Sequence, residues 1–338
     1  MFETVVHLGW FADFCSTAFG TVSIVLNLLL IYLVKVRSDT FLLFATFYRW
    51  LIVVFAITDI FYSLVDMGTG MGFLVHGHCM FAFLSKRLIW KNAEMEQVFL
   101  IIRCSTIPVC FGILQIHFFY RYIIVCKPWL QYIFTKKKYI ALIAAFFIFH
   151  GVYWYLGTLL CFVDPFSVEY MNQTFVDVYN VHADDLIAVM LHFEESRPDL
   201  NQRAWFVLFM ASFLFSGTLT GFLFFGVKTY KKLKTVQMSM KVRAVHLQLL
   251  KILIIQTLIP VVVAMLPCSL IWLSAAFGSE SPAWHNLYMV PLMSSFPFLD
   301  PLVNILLFPN FRISLMAQCV KMVEKTALVS FVSRSSNP

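Results

Sequence analysis

The chain is 338 residues long; 60% of them are hydrophobic and 13% charged, and Lys and Arg (25) outnumber Asp and Glu (18). A soluble domain carries roughly 25% charged residues, and no folded core hides apolar side chains that come in runs of roughly twenty or more. A soluble enzyme and a nucleic-acid-binding protein are thereby excluded, which leaves a protein that crosses a membrane several times.

In lipid the backbone must satisfy its own hydrogen bonds, so each long apolar run is predicted as a helix. The alternating ten-residue segments of a membrane barrel are absent. Seven spans are read, at about 10–34, 41–65, 98–126, 139–162, 205–227, 249–277 and 285–308. The expected fold is an all-α membrane protein, a single seven-transmembrane helix bundle over 10–308 after a short N-terminal segment, 1–9. That segment holds Glu3 and no Lys or Arg, so a removable signal peptide is not expected and span 1 is read as its own signal-anchor.

Taken in order, span 1 carries Asn27 at its middle and span 2 carries Asp59. Span 3 holds Arg103 near one end, Pro108 within, and Arg121 at the other end, before Lys127-Pro128. Arg49 and Arg103, near span ends, are read as side chains that snorkel to the interface, and the same reading stays open for Arg121. The connection 127–138 contains Lys127, Lys136, Lys137 and Lys138 and no acid. The segment 164–204 is acidic and contains the sequon Asn172-Gln173-Thr174, whereas 228–251 contains Lys231, Lys232 and Lys234 among seven basic residues and no acid. Lys and Arg are retained on the cytoplasmic side. The lysine-rich connections are therefore expected inside, and the N-terminus and the Asn172 glycosylation sequon outside. Span 6 contains Pro260 and Pro267, span 7 contains Asp300-Pro301, and Pro260 is the candidate hinge.

An ionisable residue within a span marks a functional site by default. Asp59 and Asp300 are read as a pair that shares a proton or a cation, and Asn27 as a packing residue, with the opposite assignment open for each. The eight cysteines show neither a CxxC nor a metal-ligand spacing, so no metal and no cofactor are expected. No HExxH, GxSxG or P-loop string is present, and no enzymatic activity is expected.

The string Gln115-Ile116-His117-Phe118-Phe119-Tyr120-Arg121-Tyr122, followed by Cys126-Lys127-Pro128, resembles the end of span 3 in nematode serpentine chemoreceptors of the class r (Str) superfamily, a group of G-protein-coupled receptors. Phe61-Tyr62-Ser63, Gln256-Thr257-Leu258-Ile259-Pro260 and Leu299-Asp300-Pro301 add to the resemblance, which covers nearly the whole chain. It implies a chemosensory receptor that binds an external small molecule, an odorant or another uncharged apolar ligand, and activates a heterotrimeric G protein, with arrestin as a further partner.

Carried over residue by residue, the resemblance assigns Tyr120, Arg121, Tyr122, Lys127, Lys231, Lys232 and Lys234 to G-protein coupling. It assigns Asn27, Asp59, Asp300, Pro301 and Asn304 to a polar switch core. Helix position and analogy with the family place Cys104, Ile107, Phe111, Trp205, Phe209, Met265, Tyr288 and Met289 around the ligand. The stretch 309–324 is expected as a short amphipathic eighth helix with Cys319 as a palmitoylation site, and 325–338 as a cytoplasmic tail. The implied location is the plasma membrane of a sensory cilium. Tyr120 stands where such receptors usually carry an acid, Asn304 where they carry a tyrosine, and Glu96 where they carry a cysteine. Cys79 with Cys161 is then the candidate loop disulfide. A ligand-gated cation channel of the seven-span odorant-receptor type is the competing reading; its N-terminus lies inside, against the lysine distribution here.

Overall fold

A run of apolar residues longer than the hydrocarbon layer has one way to satisfy its backbone alone, and the chain takes it seven times among the described residues. The computed structural model describes residues 2–36, 46–84, 92–161, 163–180, 182–279, 285–308 and 312–313. Its spans are α1 (Phe2–Val36), α2 (Thr46–Thr69), α3 (Ala93–Cys126), α4 (Lys137–Leu159), α6 (Pro198–Thr235), α7 (Met240–Pro260) running on into α8 (Leu266–Ala276), and α9 (His285–Leu307). A π turn, Val261–Met265, joins α7 to α8 immediately after Pro260. Proline lacks the N–H that continues the ladder, and widening one turn absorbs the defect. The expected span at 205–227 is the middle of a longer helix, because α6 continues past the apolar run into Lys228, Lys231, Lys232 and Lys234. The expected eighth helix and Cys319 lie outside the described residues, apart from 312–313.

α3 is the axis of the bundle: it packs on α2, α4, α6 and α7, while α1 packs on α2 and α9. A residue on the axis has neighbours on every side, and twenty residues of α3 are buried, among them Arg103, His117 and Arg121.

The connection after span 2 is a folded lid. Two six-residue apolar runs, β1 (Met71–His76) and β2 (Cys79–Leu84), form an antiparallel hairpin around Gly77-His78, and β3 (Ala188–His192) adds to β2. Gly77 has a φ of 51°, which a two-residue hairpin turn demands of its first central residue. Alternation divides the sheet: Met71, Phe73, Met80, Ala82, Val189 and Leu191 face the bundle. Leu74, Cys79, Phe81, Phe83 and Met190 face α5 (Pro165–Tyr179), where Met171 and Phe175 meet them. A sheet covered on both faces reads as continuous apolar sequence rather than as an alternating strand.

Candidate functional site

Beneath the lid lies a cavity of about 90 Å³, room for roughly half a dozen waters. β1, β2 and β3 roof it, and α3, α4, α6, α8, α9 and the π turn wall it. Its most ordered wall is aromatic. Trp154 of α4 stacks on Trp272 of α8 with centroids 5.5 Å apart, and Phe215 of α6 stacks on Trp272 at 6.1 Å. Cys104, Ile107 and Met265, expected around the ligand, line the cavity. The other five are placed elsewhere. Phe111 stands behind Phe215, ring to ring at 6.0 Å, and Met289 packs into the core. Trp205, Phe209 and Tyr288 lie on outward faces, Phe209 with 66% of its surface exposed. Spans that are apolar on all sides carry no stripe from which an inward face can be read.

One charged group touches the cavity. Arg103, expected to snorkel, is 1% exposed and turned inward, because α3 has no lipid-facing side at this level. Its Nε donates to Asp66 Oδ1 at 2.8 Å, and its guanidinium lies 4.4 Å from the centre of the Tyr62 ring. Asp66 stands behind the lining and neutralises Arg103, so the cavity wall carries no net charge.

The residues expected to form the polar switch core divide into two arrangements. Pro297 and Pro301 cannot donate to the carbonyls four residues before them, so those of Met293 and Pro297 are open to other donors. Tyr62 Oη donates to the first at 3.0 Å; Asn27 Nδ2 and Ser23 Oγ donate to the second, each at 3.0 Å. Asn27 thereby ties α1 to α9. Asp59 of α2 and Asp300 of α9 are both buried. Gln256 Nε2 donates to Asp300 Oδ1 at 2.7 Å, and Asn304 Nδ2 donates to the Asp300 carbonyl at 3.3 Å. Asp59 Oδ2 has no hydrogen-bond partner among the described residues.

At the far end of α3, Arg121 is 2% exposed. Its guanidinium lies 4.1 Å from the centre of the Tyr48 ring and 5.7 Å from that of Tyr120. Those two rings stack at 5.3 Å, and Phe134 meets Tyr120 edge to face at 4.8 Å. Tyr120, which stands in place of an acid, contributes a ring face to the same cation. Tyr122 packs on Phe224 and Phe225 of α6, and the Lys127 ammonium sits over Trp129. Lys231, Lys232 and Lys234 are exposed on the last turns of α6.

The disulfide expected in the lid is corrected. Cys79 and Cys161 are free thiols that belong to opposite faces of the sheet, Cys79 toward α5 and Cys161 toward the cavity, so the strands separate them. Packing and polar contacts hold the lid instead. Ser167 donates to Asp164 Oδ2 at 3.0 Å and lies 2.7 Å from His192 Nδ1, while His192 Nε2 lies 3.1 Å from Glu194 Oε2. Burial holds the His192 imidazole below the usual histidine range, against the raising effect of Glu194. Asn172 lies within α5 rather than in an open loop, and its Oδ1 accepts the Ala183 N–H at 3.0 Å.

Residues that sequence reasoning passed over include Asp66, Tyr48, Trp154, Phe215 and Trp272. Asp66 carried a legible signal, being an acid in an apolar run; the aromatics carried none beyond their abundance.

A bundle with a capped cavity at one end and a buried arginine at the other matches known proteins over nearly its full length. A family model described as serpentine type 7TM GPCR chemoreceptor Srj matches residues 6–315. Serpentine receptor class J-38 of Caenorhabditis elegans is 24% identical over 271 residues, 78% of this chain and 81% of that protein. Serpentine receptor class r-10 of the same nematode is 24% identical over 309 residues, 86% of each chain. G-protein coupled receptor str-33, also of C. elegans, is 24% identical over 306 residues, 87% of this chain and 86% of the relative. Similarity at one level to the J, r and str classes carries the resemblance at the rank of nematode serpentine receptors rather than of class r alone. The match of residues 6–315, joined to seven apolar helices around a central α3, places the chain in the Srj family of seven-transmembrane, G-protein-coupled chemoreceptors.

Proposed function

We propose that the receptor reads a small, uncharged, largely apolar molecule bound in the cavity beneath the lid, and that occupation of the cavity favours release of Arg121 at the opposite end. The observation that carries this reading is the wall itself: stacked aromatic and aliphatic side chains, with the one nearby cation already neutralised by Asp66. A charged ligand would find no free counter-charge there, whereas an apolar one replaces weak contacts by packed ones. Cys104→Phe fills the cavity from α3. The expected result is a loss of ligand potency of at least about tenfold at unchanged surface expression. Unchanged potency would move the ligand elsewhere.

The lid end faces outside in this reading and the lysine-bearing end of α6 faces a heterotrimeric G protein. Tyr120, Arg121, Tyr122, Lys127, Lys231, Lys232 and Lys234 supply the docking face once the bundle opens, with arrestin as a later partner. The receptor works in the plasma membrane of a chemosensory ending. Glycosidase treatment is expected to lower the mass of the wild-type chain and not that of Asn172→Gln, and an N-terminal epitope is expected to be reached on intact cells. An epitope reached only after permeabilisation would invert the orientation. The family does not favour the channel alternative.

A further inference from the structure

We infer that ligand enters the cavity from the bilayer, through the seam between α4 and α6, and that the receptor therefore takes neutral molecules that dissolve in lipid first. The inference rests on the reading of the cavity as the ligand site.

Among the described residues the lid end is closed. Met71, Phe73, Met80, Ala82, Val189 and Leu191, the strand residues above the cavity, are each at most 8% exposed, and α5 lies over the sheet as a second layer. The lateral wall is different. α4 is the least covered of the seven spans, with only His150, Gly157 and Thr158 buried. α4 and α6 both pack on α3 but touch each other sparsely. A methyl group built on Gly157 of α4 would meet a single side-chain atom within 4 Å, Met210 Cε at 3.8 Å. A hydrogen bond crosses the seam, from Tyr153 Oη to the Met210 carbonyl at 3.1 Å.

The seam residues are also cavity residues. Tyr153, Gly157, Met210 and Ala211 line the interior, while Tyr153 and Met210 are only half-buried and so reach the outer surface of the bundle. These residues lie within the apolar spans α4 and α6, whose outer surface faces lipid once the bundle is in a bilayer. A rotamer change at Met210 with loss of one hydrogen bond opens the seam, whereas passage from the lid end requires parting a three-stranded sheet. A solute already in the acyl region meets the low barrier; a permanently charged one is excluded from that region altogether.

The cavity supplies its own reporters, because Cys104, Cys161 and Cys268 line it as free thiols. The experiment uses the full-length receptor in phospholipid nanodiscs and two methanethiosulfonates of the same shape. One carries a 2-(trimethylammonio)ethyl group, the other its uncharged isostere, 3,3-dimethylbutyl. In either case a cysteine thiolate attacks the sulfenyl sulfur, a mixed disulfide forms, and methanesulfinate leaves with the bonding pair. Peptide mapping gives the rate at each cysteine, normalised to the rate on the unfolded chain.

The expected result is that the uncharged reagent modifies the three cavity cysteines at least about tenfold faster than the charged one. Gly157→Phe, or Met210→Trp where the first variant lowers yield, is expected to slow the uncharged reagent and leave the charged one unchanged. Equal rates for the two reagents would place the path through the aqueous lid. Absence of modification by either reagent would mean that no path exists, and unchanged rates in both seam variants would remove the seam from it; each outcome overturns the inference. Loss of ligand response with this labelling pattern intact would count against the cavity as the ligand site and leave the route standing.

Discussion

Asp66→Ala is expected to remove the receptor from the cell surface. The carboxylate of Asp66 and the guanidinium of Arg103 are 2% and 1% exposed, so the substitution leaves a buried cation without its counter-charge. Breaking such a pair by removing one partner costs about 3–5 kcal/mol, a large part of the 5–15 kcal/mol or so that holds a typical domain together. The Tyr62 ring, 4.4 Å from the guanidinium, recovers only part of that. Replacing both partners with apolar residues of similar volume, Asp66→Leu with Arg103→Met, is expected to restore expression and thermal stability toward the parent. The two substitutions are therefore expected to be strongly non-additive. Surface immunodetection and thermal unfolding in detergent read the result. Wild-type expression and stability of Asp66→Ala alone would mean that the pair holds nothing.

Tyr48→Ala is expected to switch the receptor on without ligand. Arg121 lies under the rings of Tyr48 and Tyr120, and Tyr48 is the closer, on a different helix. A desolvated cation–π contact contributes about 2 kcal/mol. Its loss from the closed state alone moves the closed–open equilibrium by roughly 30-fold, since each 1.36 kcal/mol is a factor of ten. Tyr48→Phe keeps the ring and is expected to behave like the parent, which separates the ring face from the hydroxyl. Arg121→Ala is expected to be silent with and without ligand. Agonist-independent nucleotide exchange on the G protein measures all three, and a Tyr48→Ala receptor that is expressed but silent would show that the restraint lies elsewhere.

The restraint on Arg121 also shows what the sequence could and could not say. Tyr120 in place of an acid was legible as the loss of an ionic contact. That a second tyrosine, Tyr48, converges on the same guanidinium depends on how α2 packs against α3, and one chain's residue order does not encode that in any local pattern. The spans themselves were legible because a twenty-residue apolar run has few alternatives in lipid. The lid was not: each six-residue strand run is shorter than a span, and burial on both faces erased the alternation that marks a strand. Its one readable signal was Gly77-His78 between two apolar runs of equal length. Arg103 was misread for a related reason. Snorkelling is inferred from distance to a span end, whereas its partner stands 37 residues away in sequence, on another helix. Of the residues expected around the ligand, Cys104, Ile107 and Met265 face the cavity and Phe209 faces outward, and a helix apolar on all sides offers no way to tell these apart.

The bonds from Asn27, Ser23 and Tyr62 to α9 have a consequence for how this seam tolerates substitution. Their acceptors exist because Pro297 and Pro301 each lack a hydrogen, so what specifies the contact is an omission in one helix rather than a group in it. A short donor of another kind can serve at position 27, since the carbonyl accepts any N–H or O–H that reaches it. At 297 and 301 the twenty amino acids offer no substitute: any other residue restores the amide proton, and the donors on α1 and α2 must then share a carbonyl that its own helix has reclaimed.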